Sequence, residues 1–159
     1  MKIGINLLWL KPKKMGGVEF FVRYLLKSFK AIEVAERFVV FINSKAYEYC
    51  LNEWEFFKHY KVIVKNVDPF NPMLILLYQW FMMKKLTKEY NIDLLYHPTP
   101  IYPIKRIKGI KQIVTFHDLQ FLHFPHYASC LLYTSPSHFI STISFKEIIT
   151  GRLHPKTFW

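Results

Sequence analysis

Short apolar runs separated by segments of helical character are the feature that most limits how this chain can fold. The runs are four to six residues long and rich in Val, Ile and Phe, which is typical of strands. They are Ile3 to Leu8, Phe38 to Ile42, Tyr60 to Val64, Asp93 to His97 and Ile113 to Phe116, with a further run at Phe139 to Ser144. Strands that alternate with helices are joined by right-handed crossovers into a parallel sheet. The sequence therefore predicts an α/β fold, a Rossmann-like parallel sheet flanked by helices.

The segments between the runs carry three helix signals. Apolar residues recur at helical spacing after residue 17 and predict an amphipathic helix that packs on the sheet. These residues are Val18, Phe21, Val22, Leu25 and Phe29. Asn43 is predicted to cap a helix after the second run. Asn71-Pro72 combines a capping side chain with a proline at the first helical position, so a helix is predicted from there to about Tyr90.

The predicted helix after Asn71 is apolar nearly all round in its first half. Burial against the sheet is the expected fate of Leu74, Ile75, Leu77, Trp80 and Phe81. Docking on a membrane surface is the alternative for this helix. The longest apolar stretch, Met73 to Met83, holds eleven residues, and a spanning helix needs about 20.

Residues able to bind a ligand follow two of the predicted strands. Gly16 and Gly17 lie between the first strand and the first helix, where free backbone N–H groups can face an anion, although a tight turn also explains them. His117 and Asp118 follow the Ile113 to Phe116 run, which predicts a buried strand. Ligands of parallel sheets bind beyond the carboxyl ends of the strands, so both sites are expected at one edge. Capping of a short helix is the alternative role of Asp118.

Three further observations bear on this edge. His97 ends the fourth predicted strand beside a proline-rich loop and is a further candidate for lining the cleft. The histidines other than 97 and 117 have no ligand-like spacing with carboxylates or thiols, so no metal site is predicted. Glu19, in the first turn of the first helix, is expected only to complement the helix dipole.

The chain is strongly basic, with 22 Lys and Arg against 11 Asp and Glu and a net charge of +11. A basic balance suits solvated helix ends, an anionic membrane surface or a phosphorylated substrate. The positive residues are scattered, and no motif of a nucleic-acid module is present, so no nucleic-acid partner is predicted. Cys50 and Cys130 are far apart without metal-like spacing, and the N-terminus does not resemble a signal peptide. The expected location is the cytoplasm, with peripheral contact at the inner membrane face left open.

Several segments resemble the N-terminal, acceptor-side domain of the family-4 retaining glycosyltransferases. Met15 to Glu19, followed by an amphipathic helix, resembles the glycine-rich first loop of that family. Val114 to Phe121, followed by Phe124 to Tyr127, is similar to its Thr-hydrophobic-His-Asp-hydrophobic segment with a downstream proline and aromatic residue. Asp93 to Pro98 resembles the strand and loop before that segment, and Ile143 to Ile149 more weakly resembles the last strand and helix of the lobe.

The resemblance implies the GT-B architecture, in which two Rossmann-like lobes face each other across the active-site cleft. Gly16 and Gly17 would bring backbone N–H groups close to the donor diphosphate or the acceptor. His117 would be the catalytic residue, bonded to the transferred sugar, with Asp118 and His97 as donor- or acceptor-binding residues. The implied reaction moves a hexose from a nucleotide-diphosphate sugar to a glycan or lipid-linked acceptor and uses no separate cofactor or metal.

The same resemblance sets the expected domain organisation. Residues 1–127 correspond to the Rossmann-like lobe, 128–138 to an irregular or junction segment, and 139–159 to a weakly matching last strand and helix of that lobe. The donor-binding lobe is expected to be missing, so this chain alone is expected to be inactive and to require a C-terminal donor lobe as partner. The alternatives are a non-catalytic flavodoxin-like domain that binds a nucleotide or phosphate, and a basic adaptor at a membrane surface.

Overall fold

Five parallel strands form one sheet in the part of the chain that this computed structural model describes, residues 1–99, 106–115 and 117. The strands are β1 (Ile3–Leu7), β2 (Phe38–Asn43), β3 (Lys61–Lys65), β4 (Leu94–His97) and β5 (Lys111–Val114), in the order β3-β2-β1-β4-β5. Every neighbouring pair is parallel. The predicted α/β, Rossmann-like arrangement is thereby confirmed.

Helices connect the strands. They are α1 (Gly17–Ala31), α2 (Ser44–Glu53), α3 (Pro72–Leu77) and α4 (Met83–Glu89). Short 3₁₀ turns occupy Ala35–Arg37 and Glu55–His59, and one wide π turn, Tyr78–Met82, joins α3 to α4. Together, α3, the π turn and α4 form one continuous helical stretch, called helix 72–89 below. Within the described residues, no helix is both long and apolar enough to cross a bilayer.

The strand order places the helices on two faces of the sheet. The crossovers from β1 to β2 and from β2 to β3 move towards one edge, whereas the crossover from β3 to β4 moves back past β1. Because parallel crossovers are right-handed, α1 and α2 cover one face and helix 72–89 covers the other. All the carboxyl ends of the strands meet at one edge, called the carboxyl edge below.

The core is built around the two central strands. Every residue of β2 is buried, as are the last four of β1, because both strands are covered on both faces. From α1, Val22 and Leu26 are buried and Phe21 and Phe29 are partly buried, so the predicted apolar stripe does pack on the sheet. The two central strands therefore form where the apolar runs of the sequence predict them.

Both predicted helix caps are present. The Asn43 side chain accepts a hydrogen bond from the Ala46 N–H (2.9 Å) at the start of α2. The Asn71 side chain does the same for Leu74 N–H (3.2 Å) at the start of helix 72–89. A side-chain oxygen that satisfies an otherwise free N–H fixes where each helix begins.

Two expectations about burial are wrong. The run predicted as a buried strand over Ile113 to Phe116 forms β5 at Lys111–Val114 instead, and Ile113 is 49% exposed. β5 lies at an end of the sheet order and pairs only with β4 among the described residues, so its side chains are less covered than those of a central strand. In helix 72–89, Ile75 is fully buried, but four of the other apolar residues expected inside are exposed. These are Leu74, Leu77, Trp80 and Phe81.

The helix exposes these residues because a single helical face is enough to cover the sheet. The side chains that do pack inward recur every three or four positions, at Ile75, Gln79, Met83 and Leu86. An apolar residue on the other side of the helix can be buried only by a further layer. The expected junction at 128–138 and the expected strand and helix within 139–159 lie outside the described residues, as does Asp118.

Candidate ligand site at the carboxyl edge

The two candidate sites meet at the carboxyl edge of the sheet through one aromatic contact. His117 lies past the end of β5, and its ring meets the ring of Phe21 edge-on, with 4.8 Å between the centroids. Phe21 belongs to the first turns of α1 and stands four residues after Gly17, on the same side of that helix. The imidazole is therefore held beside the first turns of α1.

His117 is exposed, and one of its two ring nitrogens is already committed. The Nε2 atom lies 2.7 Å from the Pro98 carbonyl oxygen. Because a carbonyl oxygen can only accept a hydrogen bond, Nε2 carries the ring hydrogen and donates a hydrogen bond to the Pro98 oxygen. Nδ1 has no partner among the described residues, so in the neutral ring it is a free acceptor. The geometry thus fixes the ring and presents a lone pair that could accept from a hydroxyl group.

The glycine pair leaves open space above the start of α1. Gly16 has φ 51° and ψ −126°, a backbone conformation that residues with a Cβ atom rarely adopt. The backbone conformation by itself therefore requires glycine at this position. Gly17 has no such requirement, and a Cβ atom added to it would meet nothing within 4 Å. Within the described part of the chain, the N–H groups of Gly16 and Gly17 find no acceptor. Two donors at a helix start therefore face an open surface.

Glu19 has a larger role than the expected dipole effect. Its side chain is buried, and its Oε2 atom accepts a hydrogen bond from the Lys13 backbone N–H at 2.9 Å. Lys13 has a left-handed backbone conformation, φ 59°, which residues other than glycine adopt only at a cost in free energy. A hydrogen bond from Tyr49 to the same carboxylate, together with burial, raises the pKa of Tyr49 to about 12. Through these two hydrogen bonds Glu19, in α1, links the glycine-rich loop and α2 to α1. The sequence did not predict this role.

The first half of the same loop is closed by Asn43. Its amide nitrogen donates to the carbonyl oxygens of Leu8 (3.1 Å) and Leu10 (2.9 Å), while its oxygen caps α2. Leu8, Trp9 and Leu10 are all buried, and the Trp9 indole donates to the Asn6 carbonyl at 2.8 Å. The segment that leads from β1 to the glycines is therefore anchored, and the open part begins only at Lys11.

His97, the third candidate, is sealed under this edge with 3% of its surface exposed. Its Nδ1 lies 3.2 Å from the amide nitrogen of Asn6 in β1, and its Nε2 lies 3.3 Å from the amide nitrogen of Gln112 in β5. Burial lowers the pKa of His97 to about 4, because the charged form cannot be solvated there. The ring is a neutral part of the sheet at pH 7 and does not reach the surface.

The electrostatics of the open part favour an anion. Lys11, Lys13 and Lys14 all lie in the loop before the glycines. Of the carboxylates near them, that of Glu19 accepts two hydrogen bonds and that of Asp68 is paired with Lys45. Lys13 Nζ also lies 5.8 Å from the centre of the Tyr49 ring. Among the described residues, no group of three or more His, Cys, Asp or Glu side chains is arranged to hold a metal ion.

The described groups of this site can bind a ligand, but they include no pair of carboxylates for acid–base chemistry. The free N–H groups and lysines suit a phosphate, and the His117 Nδ1 suits a hydroxyl group. Comparison with protein-family models, with curated proteins and with solved structures gave no match for this chain.

Proposed function

We propose that this chain is the acceptor-side lobe of a retaining glycosyltransferase, which moves a hexose from a nucleotide-diphosphate sugar to a glycan or lipid-linked acceptor. The carboxyl edge would form one wall of the reaction cleft. A partner donor-binding lobe would supply the other wall, and the lobe described here would be inactive by itself. No cofactor other than the nucleotide-sugar substrate is required by the proposal.

The contact between His117 and Phe21 is the observation that supports this proposal most strongly. Two segments more than ninety residues apart in the sequence were expected to meet if the resemblance is meaningful. A sealed His117, or one at the opposite edge from Gly16 and Gly17, would have been incompatible with sugar transfer. The imidazole is instead exposed and lies 4.8 Å, centroid to centroid, from a ring one turn into α1.

The proposed roles follow from the free polar atoms. The N–H groups of Gly16 and Gly17, with the lysines of the loop, would stabilise a phosphate of the donor or an anionic group of the acceptor. A leaving diphosphate gains negative charge during transfer, and preformed donors stabilise such charge well. His117 would accept a hydrogen bond from a hydroxyl of the transferred sugar through Nδ1, with Pro98 keeping the other nitrogen protonated. Asp118 remains a proposed donor- or acceptor-binding residue outside the described residues.

A chimera tests the proposal. The chain is joined to a complete donor lobe of a family-4 enzyme, and transfer from a panel of nucleotide-diphosphate hexoses is followed by mass spectrometry of the product. We expect transfer by the chimera and a loss of about tenfold to hundredfold in kcat/KM for His117→Ala, the effect of one lost hydrogen bond to a reacting group. His59→Ala is the matched control, since His59 is exposed just before the start of β3, at the other edge of the sheet. Equal activity of the two variants would contradict the role of His117.

A nucleotide- or phosphate-binding domain without catalysis is the second candidate. The open N–H groups of Gly16 and Gly17 favour it, because they need no second lobe to bind a phosphate. Calorimetry of the chain with a nucleotide-diphosphate sugar, flavin mononucleotide and inorganic phosphate separates the two. Micromolar binding of flavin mononucleotide or of free phosphate would favour the second candidate, whereas the lobe of a transferase is expected to bind them weakly or not at all.

A further inference from the structure

A groove of about 620 Å³ lies between α1 and the 3₁₀ turn Glu55–His59, on the side of the sheet that α1 and α2 cover. It extends to Ala31, the last residue of α1, and to Lys58, shortly before β3 begins. Because α1 starts at the carboxyl edge and runs back along the sheet, this α1 groove lies towards the amino ends of the strands. Among the described residues, it shares none with the site at the carboxyl edge.

Positive side chains line both banks of the α1 groove. Arg23, Lys27 and Lys30 come from α1, and Lys58 comes from the 3₁₀ turn. Spacings of four and three residues place the first three on one side of the helix, spread over about 10 Å along its axis. A row of charges of this length matches a ligand that carries several negative charges along a chain.

The carboxylates beside the α1 groove leave part of this positive charge uncompensated. Glu53 and Glu55 also line the groove, so four positive side chains stand against two negative ones. Within the described part of the chain, neither glutamate forms an ion pair with Arg23 or with a lysine of the groove. Arg23 donates instead to the backbone carbonyl oxygen of Glu53, at 3.3 Å. The groove therefore keeps an excess of two positive charges.

Two aromatic rings add an apolar surface to the α1 groove. Tyr24 is 62% exposed on α1, and Phe56 is partly buried in the 3₁₀ turn. The Phe56 ring stacks on the buried ring of Trp54, with 6.2 Å between the centroids and 17° between the planes, which holds Phe56 in place. A ligand with an apolar side chain between its negative charges would contact both the rings and the positive groups.

Hydrogen bonds hold the two banks of the α1 groove together. The Tyr60 hydroxyl, just after the 3₁₀ turn, donates to the Leu26 carbonyl oxygen of α1. The Arg23 guanidinium joins α1 to the end of α2 through the Glu53 carbonyl oxygen. The groove is therefore formed before a partner arrives, so binding requires little ordering of the backbone.

We infer that the α1 groove binds an acidic segment of a partner protein, in which aspartate or glutamate residues flank an apolar side chain. The carboxylates of the segment would accept charge-assisted hydrogen bonds from Arg23, Lys27 and Lys30. The apolar side chain would lie against Tyr24 and Phe56. An extended chain advances about 3.3 Å per residue, so about three of its residues span the row of positive groups on α1.

Charge and shape argue against other occupants. A second copy of the chain carries the same net charge of +11, which is repulsive. A single phosphate is too small to contact positive groups spread over about 10 Å. A nucleic acid carries a phosphate at every nucleotide, so part of its charge would face Glu53 and Glu55. A flat lipid surface would contact the rim of the groove and leave Phe56 uncovered.

This inference goes beyond the proposed transferase function and can fail independently of it. The α1 groove and the carboxyl edge have no described residue in common. Loss of peptide binding with retained sugar transfer by the chimera would remove only the inference about the groove. Loss of transfer in His117→Ala with retained peptide binding would concern only the carboxyl edge.

The test measures binding of a labelled acidic peptide to the full chain by fluorescence anisotropy. The peptide has three glutamates on each side of a leucine, and its control has glutamine in place of every glutamate. We expect saturable binding of the acidic peptide that weakens as salt is added, and no binding of the glutamine peptide. Absence of saturable binding of the acidic peptide at millimolar concentration and low salt would overturn the inference.

Charge-matched variants separate the α1 groove from the net charge of the chain. Arg23→Gln/Lys27→Gln should lose at least about tenfold in peptide affinity, because two charge-assisted hydrogen bonds disappear. Lys84→Gln/Lys85→Gln removes the same charge from exposed positions of helix 72–89 and should lose much less. Lys58→Gln tests the other bank at an exposed position that the fold does not require, and it should also weaken binding. Equal losses in the two double variants would mean non-specific attraction and would overturn the inference.

A second pair of variants tests the apolar surface without any change in charge. Tyr24→Ser should weaken peptide binding several-fold, whereas Phe20→Ser, one turn earlier on α1, should not. Phe20 is 58% exposed but does not line the groove. Equal affinity of the two variants would show that the rings are not used.

Competition experiments decide between the acidic segment and other anions. Single-stranded DNA and anionic vesicles should displace the peptide only weakly. If either binds the unaltered chain more tightly than the peptide does, and loses that affinity in Arg23→Gln/Lys27→Gln, the groove serves a nucleic acid or a lipid surface and the inference is wrong.

Discussion

His97 and His117 lie at the carboxyl ends of neighbouring strands, but their surroundings give them opposite properties. His97 ends β4, which lies between β1 and β5, so Asn6 from one neighbour and Gln112 from the other approach both ring nitrogens. His117 comes after β5, the last described strand, and within the described residues Nε2, bonded to Pro98, is its only engaged ring nitrogen. A histidine at the end of a strand therefore becomes structural or available according to whether that strand has neighbours on both sides.

The amide groups around His97 strengthen this difference. The Gln112 oxygen accepts from the Ile107 N–H at 2.8 Å, and the Asn6 oxygen accepts from the Leu8 N–H at 3.3 Å, so both amide nitrogens face the imidazole. A neutral imidazole has one acceptor nitrogen and accepts a hydrogen bond from one of these amide groups, and protonation of the ring would remove that acceptor. His97 is thus held neutral by its position in the sheet, and a charged or catalytic role is unfavourable.

The largest expected effect is the loss of stability on removing His97. His97→Ala leaves a cavity between β1 and β5 and removes the ring contact of the Asn6 amide nitrogen, so the free energy of unfolding should fall by about 3–4 kcal/mol. His117→Ala removes an exposed ring and should change it by no more than about 0.5 kcal/mol. Urea unfolding of the two variants measures the contrast, and similar losses would show that the two histidines are not structurally different.

The next effect is a dependence of stability on pH. The pKa of His97 is about 4 in the folded protein against an ordinary value of 6.5, so the unfolded chain binds the extra proton first as the pH falls. This group's contribution to the free energy of unfolding should therefore decrease from about pH 6.5 downwards, by roughly 3 kcal/mol at pH 4, and then level off. His97→Gln cannot titrate, and its unfolding free energy should fall less over pH 7 to 4. Parallel curves for the two proteins would argue against a buried neutral ring.

The smallest effect separates the two glycines beside His117. Gly16→Ala forces a methyl group onto a backbone at φ 51° and should lower the free energy of unfolding by about 1–2 kcal/mol. Gly17→Ala meets no neighbouring atom and starts a helix, so it should be neutral or stabilising by up to about 1 kcal/mol. Thermal unfolding gives both values. If the space above Gly17 is used by a ligand, this stable variant should also bind that ligand more weakly than the unaltered chain.

Local patterns in the sequence were sufficient for the strands, the helices and their starts. The apolar run of β2 and the caps at Asn43 and Asn71 depend only on residues close in the chain, and they appear as predicted. The approach of His117 to Phe21, one turn after Gly17, was also predictable, since the carboxyl ends of parallel strands share an edge.

Properties that depend on distant neighbours could not be predicted in the same way. Burial of His97 requires Asn6, which is 91 positions away and becomes its neighbour only through the strand order. The exposure of Trp80 depends on whether another layer covers helix 72–89, and the periodicity of the sequence carries no information about such a layer. Glu19 has the expected place in the first turn of α1, but its bond to Lys13 depends on the path of the loop.

The bond between Glu19 and Lys13 has a consequence for the kinetics of ligand capture. The loop before Gly16 already has its folded shape, because a buried carboxylate holds its left-handed turn and Asn43 holds its first half. A ligand that meets a preorganised loop requires no slow closure step, so its association rate should depend on diffusion and on the attraction of the lysines. Differences in affinity among ligands of this edge should then arise mainly from how fast they leave.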